Sequence, residues 1–352
     1  MNRHAGAPND SAHPALPALL QSSDALRAGF IDGLERLLAR DSLGALILVH
    51  ANAAIDPGLW PDFEPRLAER RDAALAAEAA GAAWPGSADD RAVFSTLSRQ
   101  ASEFAVCQRT RECGPWRICV NPMRALRPAR AAEQPVHQLR APFNPDGFHF
   151  ARPFLQPEIL WQGVLAGRET GLLYNKFPFV PLHGLLVPTP TAGREQFLRE
   201  DDLGWLVTLA GTLAVRIPGF GIAYNAYGAS ASVNQLHLQT FASDAALAIE
   251  SPTWRHNGGA DAYPVRVETF VDADTAWSAI EALHARERPY HLVLRNARIY
   301  LIERAFQGRF EAPVWSSGLA WHEFAGGFTT ESATAFAAMQ PAELYEALEA
   351  AR

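Results

Sequence analysis

The sequence predicts an α+β fold, because a hairpin, a helix and a further strand follow one another along the middle of the chain. A hairpin is predicted at 172–188, because two apolar runs flank a connection punctuated by proline. A helix is predicted from Asp201 or Asp202 onward, since apolar residues recur with the helical period over 203–214. A strand is predicted at 232–239, which contains neither glycine nor proline.

A second group of strands and a helix follows the first. The sequence predicts a strand at 263–271, a helix at 274–286 and a hairpin at 291–302. Because strand and helix units occur in both groups, we expect two tandem half-domains. Outside these groups, the sequence predicts helices at 24–40, 70–83, 330–339 and 342–350, and short strands at 45–50, 116–120 and 159–164.

Composition excludes several classes of function. The 352 residues are 48% hydrophobic and 20% charged, which is enough for a large core. A net charge of −7 without a run of Lys or Arg argues against a nucleic-acid surface. No apolar stretch reaches the ~20 residues that a membrane span requires. The three cysteines lack a disulfide framework, so a cytoplasmic location is expected.

We expect the chain to divide into three parts. Residues 1–17 are polar and contain no apolar signal-peptide core, which predicts a disordered leader. Residues 18–255 form the N-terminal half with the candidate site, and residues 256–352 form a C-terminal half that packs on it. Two halves in one chain could build the site, or two chains could pair as a homodimer, and the sequence leaves both open.

Polar side chains alternate along the predicted strand 232–239. Gln235, His237 and Gln239 would project from one face of that strand, which suits the binding of a phosphate group. The loop before it, 224–232, is rich in small residues whose backbone amides could approach an anion closely. An ordinary solvated sheet face would show the same alternation. A second segment decides between these interpretations.

That second segment is the predicted hairpin at 172–188. Asn175 and Lys176 lie at the end of its first strand, and His183 lies at the start of its second strand. In this order the residues resemble the histidine-triad superfamily of nucleotide hydrolases and transferases. The resemblance implies a HIT-like antiparallel sheet with flanking helices and two tandem half-domains, as in the galactose-1-phosphate uridylyltransferase relatives.

The resemblance also implies roles for individual residues. Asn175 matches the position that binds ribose hydroxyls, and His183 matches the upstream histidine. His237 falls on the nucleophile, and Gln239 falls on the last triad position, where glutamine is typical of the transferase and phosphorylase branches. The remaining candidates for substrate or phosphate binding are Lys176, Asn225, Gly228, Ser230, Ser232 and Gln235.

Within the superfamily, the chain is most similar to the GDP-hexose phosphorylases that act on GDP-L-galactose or GDP-D-glucose. The similarity extends in order over about residues 100–345 and rests on segments that together are specific. These segments are 142–150, 224–239, 248–252, 263–266 and 321–326.

The first triad position departs from the superfamily. Gln235 stands where nearly every branch has a histidine, which in the uridylyltransferase branch also helps to hold a structural metal. Glutamine does not replace a zinc-binding imidazole, and Cys107, Cys113 and Cys119 form no Cys-x-x-Cys pair. We therefore expect no zinc and no required cofactor.

The chemistry follows from the residue types. Neutral His237 can attack an α-phosphorus, provided that its other ring nitrogen donates a hydrogen bond that fixes the tautomer. Gln239 can donate its amide N–H to a phosphate oxygen without losing a proton. Lys176 could add charge near the polyphosphate or lie solvated beside the turn. His183 could contact a site residue or simply pack in the strand.

Three hypotheses remain. The first is a phosphorylase that transfers the nucleotide of a nucleoside diphosphate sugar, with GDP-hexose preferred, through a nucleotidyl-histidine at His237 to inorganic phosphate. The second is a phosphorylase or hydrolase of dinucleoside polyphosphates, which the sequence Asn175-Lys176-Phe177 favours. The third is a nucleotide-binding protein that has lost catalysis, for which Gln235 is the only argument.

Overall fold

The computed structural model describes residues 16–100, 108–127, 135–316 and 318–352. It begins with four helices, α1 (Ser23–Leu38), α2 (Leu43–Ala54), α3 (Trp60–Ala79) and α4 (Ala88–Arg99). Two strands follow, β1 (Arg109–Cys113) and β2 (Trp116–Val120). The next elements are β3 (Ile159–Leu165), β4 (Arg168–Tyr174), β5 (Gly184–Pro188), α5 (Glu200–Arg216), β6 (Phe220–Asn225) and β7 (Leu238–Ala242). The chain continues with β8 (Val267–Phe270), α6 (Ala273–Ala285), β9 (Tyr290–Arg295), β10 (Arg298–Glu303), α7 (Trp321–Phe324), β11 (Gly327–Thr330), α8 (Ala333–Ala338) and α9 (Pro341–Ala350).

An eight-stranded sheet forms the centre of the fold, in the order β3-β4-β5-β7-β6-β9-β10-β8. Every neighbouring pair in it is antiparallel. A smaller sheet has the order β1-β2-β11, and its β11 pairs with β2 in parallel. The structure therefore confirms the predicted α+β class with an antiparallel sheet.

The large sheet contains the same unit twice. The elements β5, α5, β6 and β7 give the strand order β5-β7-β6, and β8, α6, β9 and β10 give the matching order β8-β10-β9. The two units meet at an antiparallel ladder between β6 and β9, in which Asn225 lies opposite His291. This arrangement has the form of two half-domains, while the predicted boundary between residues 255 and 256 stays a prediction.

Different layers cover the two faces of the large sheet. Helices α5 and α6 cover one face, where Leu206 and Ile280 share a buried core with Ile222 of β6. The N-terminal helices α1–α4 lie beside β4, where the Tyr174 hydroxyl donates to the Phe30 carbonyl at 2.7 Å. A C-terminal layer that includes α7 and β11 packs on the face opposite α5 and α6.

Two sequence-based predictions of strands were wrong. Residues 45–50 belong to α2, whose twelve residues are all buried, and Ser42 caps it by accepting from the Ala45 amide. A short run of apolar residues does not distinguish a buried helix from a buried strand. Residues 232–237 are not in a strand, because the Leu236 amide donates to the Arg194 carbonyl at 2.9 Å rather than to a neighbouring strand.

The predicted disordered leader falls almost wholly outside the described residues, which begin at residue 16. Within the part of the chain that the structure describes, none of the helices combines the length and apolar character needed to cross a membrane.

Candidate active site

A cavity of about 640 Å³ lies on the face of the large sheet opposite α5 and α6. One wall comes from the N-terminal helices, and another comes from an aromatic segment that contains Phe148, Phe150 and Phe154. The floor is formed by the strand ends that carry the predicted site residues. Its lining includes Gly44, Asp90, Phe148, Phe150, Phe154, Asn175, Lys176, Asn225, Ser230, Gln239 and Ala320. The cavity therefore brings together five of the ten predicted site residues, namely Asn175, Lys176, Asn225, Ser230 and Gln239.

His183 is fully buried behind the cavity floor. Its Nε2 lies 2.9 Å from Gln239 Oε1 and 3.3 Å from Asn175 Nδ2. The shorter contact, with an oxygen that only accepts, and the Phe179 amide that donates to Nδ1 at 3.4 Å both place the proton on Nε2. Burial lowers the pKa of His183 to about 3, which keeps the imidazole neutral. Of its two predicted roles, the geometry fits the contact with a site residue.

Gln239 lines the cavity from β7. Its Oε1 also accepts from Trp321 Nε1 at 2.7 Å, a contact that the sequence analysis missed. The only sequence signal for Trp321 was its place in the segment 321–326. The amide nitrogen of Gln239 has no hydrogen-bond partner among the residues that the structure describes.

His237 is 3% exposed and lies just before β7. Its Nδ1 lies 2.7 Å from the Gln235 carbonyl oxygen and donates to it, so the tautomer-fixing hydrogen bond predicted from the sequence is present. Because the proton lies on Nδ1, Nε2 keeps its lone pair, and none of the described side chains donates to it. Burial lowers the pKa of His237 to about 4, so the imidazole is neutral at neutral pH.

An aromatic ring of the cavity wall packs against His237. Phe150 lines the cavity and packs against His237, with ring centroids 5.1 Å apart. His237 itself is not part of the cavity lining. The missed residue Gln196 holds it in place, because Gln196 Oε1 accepts from the His237 amide at 2.9 Å and Gln196 Nε2 donates to the Asn225 carbonyl at 2.8 Å.

Gln235 is not where the predicted strand would place it. Its Oε1 accepts from the Phe150 amide at 2.7 Å, and its Nε2 donates to the Pro190 carbonyl at 2.7 Å. Gln235 is 1% exposed, and both polar groups of its side chain are hydrogen-bonded to backbone groups. The geometry assigns Gln235 to holding the aromatic segment rather than to the phosphate contact expected from the alternating row.

The predicted phosphate loop begins with Asn225 at the end of β6. Asn225 Oδ1 accepts from His291 Nδ1 at 2.7 Å and from the Trp321 amide at 3.1 Å. Ser230 lines the cavity with a left-handed backbone at φ +65°, and its amide donates to Gln307 Oε1 at 2.8 Å. This conformation is unusual for a non-glycine residue and turns the chain tightly beside the cavity.

Two residues of the loop lie outside the cavity lining. Gly228 has φ +84°, and a β-carbon there would lie 2.6 Å from the Phe306 ring, so only glycine fits. Ser232 is half-buried, and its side chain makes no hydrogen bond within the described ranges. Neither position meets the cavity in this structure.

Asn175 and Lys176 follow β4 at the cavity wall. Asn175 Oδ1 accepts from the Phe177 amide at 3.0 Å, which forms a tight turn. Lys176 Nζ lies 2.6 Å from Asp90 Oδ1 of α4 and 3.8 Å from Glu158 Oε1. Lys176 is thus neither solvated nor an unpaired charge, because it joins the sheet to α4. Burial acts to raise the pKa of Asp90, but the charge and hydrogen bond of Lys176 and the hydrogen bonds from Ser87 together hold that pKa below its usual value.

Arginines also line the cavity, although the sequence analysis did not single them out. Arg124 is half-buried, donates from Nη1 to the Phe177 carbonyl at 2.9 Å, and has its pKa lowered by desolvation. Arg127 lies on the same wall. These side chains place positive charge at the cavity.

Among the described residues, no group of three or more His, Cys, Asp and Glu side chains could hold a metal ion. Cys113 and Cys119 are buried and free, and Cys107 lies outside the described residues.

Comparison with known proteins relates this site to one family. Residues 116–241 match the family model described as "GDPGP1-like, N-terminal domain". The resemblance predicted from the sequence is therefore confirmed.

Curated relatives agree with this match. The chain is 33% identical to GDP-D-glucose phosphorylase 1 of Macaca fascicularis over 124 residues, which cover 32% of this chain and 30% of that protein. It is 39% identical to the Xenopus laevis protein of the same name over 85 residues, which cover 24% of this chain and 21% of that protein. The matched stretch thus spans less than a third of these relatives.

A solved structure shares the fold over a larger part of the chain. The crystal structure of yeast Ap4A phosphorylase Apa2 aligns with a TM-score of 0.51 and 16% identity, covering 69% of this chain and 86% of that one. At this identity the likeness establishes the HIT-like fold alone.

Proposed function

We propose that the protein is a nucleotidyltransferase that acts as a phosphorylase on a nucleoside diphosphate sugar, with a GDP-hexose as the preferred substrate. The observation that carries the proposal is a neutral His237 whose Nδ1 is occupied and whose Nε2 keeps its lone pair. The match to the GDPGP1-like domain and the names of the relatives support GDP-hexose over other nucleotide sugars.

The reaction takes two steps. His237 Nε2 attacks the α-phosphorus, the bond from that phosphorus to the bridging oxygen breaks, and the hexose 1-phosphate leaves. Positive charge then develops on the ring, and the Gln235 carbonyl stabilises it through the Nδ1 proton. Inorganic phosphate next attacks the nucleotidyl-histidine, which releases the nucleoside diphosphate and restores neutral His237. In the first step the N–P bond forms as the P–O bond breaks, in the second step a P–O bond forms as the N–P bond breaks, and the Nδ1 proton stays on the ring throughout.

The proposal extends to the surroundings of the site. Gln239 and Asn225 donate to phosphate oxygens, and Arg124 and Arg127 supply positive charge. Asn175 contacts the ribose, as the resemblance implies. The two half-domains, 18–255 and 256–352, build one site within a single chain in the cytoplasm, and no zinc is required.

Intact-protein mass spectrometry tests the covalent step. The protein is incubated briefly without phosphate with GDP-glucose, UDP-glucose or diadenosine tetraphosphate. We expect a mass gain of one nucleotidyl group, which is the nucleoside monophosphate less one water, with GDP-glucose, because no acceptor is present to remove the nucleotide. H237A should form no adduct but keep nucleotide affinity within about tenfold, since the nucleophile acts mainly in the transition state.

A second histidine provides the control. His284 belongs to α6, on the side of the sheet away from the cavity, and its Nε2 lies 3.0 Å from the Tyr290 hydroxyl. Because His284 does not line the cavity, H284A should form the adduct normally. Phosphate is then added, and the products are identified. Hexose phosphate with nucleoside diphosphate supports the proposal, whereas an adduct from diadenosine tetraphosphate alone supports the dinucleotide activity. Turnover by H237A would remove His237 from the mechanism.

A further inference from the structure

Two side-chain amides at the cavity each have a carbonyl oxygen that accepts two hydrogen bonds. Gln239 Oε1 accepts from His183 Nε2 at 2.9 Å and from Trp321 Nε1 at 2.7 Å. Asn225 Oδ1 accepts from His291 Nδ1 at 2.7 Å and from the Trp321 backbone amide at 3.1 Å. Among the described residues, Trp321 is therefore the one that hydrogen-bonds to both amides.

We propose that Trp321 is a positioning residue that fixes Gln239 and Asn225 with their N–H groups facing the cavity. The inference rests on the proposed function, because it explains how the site binds phosphate oxygens. Trp321 is fully buried and stacks on Phe241, with ring centroids 4.9 Å apart and planes 19° apart, so its own position is rigid.

The orientation of Gln239 follows from the chemistry of its neighbours. An indole N–H only donates, and His183 Nε2 also donates because its Nδ1 accepts from the Phe179 amide. A reversed amide would place its NH₂ group against both donors and leave them buried without acceptors, which is unfavourable. The oxygen therefore faces Trp321 and His183, and the NH₂ group faces the cavity.

The orientation of the Asn225 side-chain amide follows from its neighbours in the same way. The Trp321 backbone amide only donates, and Arg304 Nη1 lies 3.3 Å from His291 Nε2, so the proton of His291 resides on Nδ1. Asn225 Oδ1 is again the required acceptor. Neither amide nitrogen has a hydrogen-bond partner among the described residues, so both remain available to an anion.

These contacts explain why glutamine occupies the last triad position. A neutral imidazole at position 239 has one acceptor nitrogen and could not satisfy two donors. A carboxylate could accept from both, but it would carry negative charge towards the substrate phosphates. An amide alone accepts from both donors and presents N–H groups to the cavity, already oriented before the substrate binds.

A double-mutant cycle tests the proposal through the rate of phosphorolysis of GDP-glucose. W321F keeps an aromatic ring but removes the indole donor, and we expect kcat to fall about 10- to 100-fold with a smaller change in KM. Q239A should lower kcat by about 100-fold or more. If Trp321 acts through Gln239, adding W321F to Q239A should change kcat by no more than about twofold.

Trp254 provides a matched control. It belongs to the same C-terminal core and donates from Nε1 to the Ala248 carbonyl at 2.7 Å, but it does not line the cavity. W254F should lose a buried hydrogen bond and keep wild-type kcat. Equal loss of kcat in W254F and W321F, or additive effects of W321F and Q239A, would overturn the proposal.

A second variant keeps the test decisive if W321F does not fold. Q239E retains an acceptor for Trp321 and His183 but directs a carboxylate oxygen at the cavity, so at alkaline pH it should weaken GMP binding more than about tenfold. Unchanged GMP affinity in a folded Q239E would contradict the inference. A wild-type protein that binds GMP but turns over nothing would instead contradict the proposed function, and the cycle would then be measured on GMP affinity.

Discussion

Burial gives the His237 imidazole a pKa of about 4, well below the ordinary value of 6.5. The neutral form is the nucleophile, so lowering the pH reduces reactivity only when it approaches about 4. We expect the rate of nucleotidyl-histidine formation to stay constant from about pH 8 to pH 5.5 and to fall below that. Quenched single-turnover mass spectrometry measures this rate.

An inflection of this rate near pH 6.5 would contradict the expectation. It would show that His237 titrates as an exposed imidazole and that its burial is lost in the reacting state. Circular dichroism at each pH must show a folded protein, because the depressed pKa of His237 also makes the fold less stable in acid.

Sequence reasoning at the residue scale found the groups that follow strand ends. Asn175, His183, Asn225 and Gln239 were all named, and the structure brings their side chains to the cavity or directly behind it. The partners that orient them come from far along the chain, such as Trp321, which is 82 residues from Gln239. No local pattern encodes such a contact, so the sequence could not predict it.

At the scale of elements, the predictable parts were those with a clear period. The hairpin of β4 and β5 and the helix α5 agree with the structure, because turn residues and an amphipathic pattern mark them. The prediction of a strand over 232–237 was wrong because the amides of Leu236 and His237 donate to residues 194 and 196 of a loop and not to a neighbouring strand. Alternating polarity there reflects contacts with a loop, which the periodicity of a strand does not describe.

The aromatic segment of the cavity depends on Gln235, which leads to a prediction about stability. Q235A would leave the Phe150 amide and the Pro190 carbonyl buried without partners. Each lost partner costs about 1–3 kcal/mol, so we expect the free energy of unfolding to fall by about 2–6 kcal/mol. Urea denaturation followed by circular dichroism measures the change.

An exposed glutamine serves as the comparison for Q235A. Gln340 donates to the Ala338 carbonyl at 2.9 Å from the surface, so Q340A should change the free energy of unfolding by less than about 0.5 kcal/mol. If both variants unfold at the same urea concentration, Gln235 does not hold the aromatic segment in the way that its contacts indicate.

At the scale of the whole molecule, the site lies where two repeated units meet. Asn225 and Gln239 belong to the first unit, His291 belongs to the second, and Trp321 follows the second unit in the chain. The ladder between β6 and β9 places Asn225 directly opposite His291. Packing between the units therefore bears on the site as well as on stability.

Glu323 gives a way to measure this packing. It lies beside Trp321 in α7, is 5% exposed, and accepts from the Ala320 amide at 2.9 Å. Burial raises its pKa to about 7, although the Ala320 amide and the charge of Arg124 act in the opposite direction. The folded protein thus holds a proton on Glu323 at pH values where the unfolded chain, with an ordinary pKa of 4.5, has lost it.

The sign of the effect follows from this difference. The stability contributed by protonated Glu323 is fully present below pH 4.5 and is lost as the pH rises through about 7. E323Q stays neutral and keeps an acceptor for Ala320, so its free energy of unfolding should rise relative to wild type across this range. At about 1.4 kcal/mol per pKa unit, the relative gain at pH 8 is about 3 kcal/mol.

Comparing the two proteins by urea denaturation at several pH values isolates Glu323 from other buried groups. His183, His237 and His322 have lowered pKa values and change stability in the opposite direction, but they are common to both proteins and cancel in the difference. E343Q is the control, because exposed Glu343 makes the same kind of helix cap by accepting from the Gln340 amide at 2.9 Å. At neutral pH the free energy of unfolding of E343Q should lie within about 0.5 kcal/mol of that of wild type. Parallel curves for E323Q and wild type would mean that water reaches Glu323 and that the C-terminal layer packs less tightly on the sheet than the structure shows.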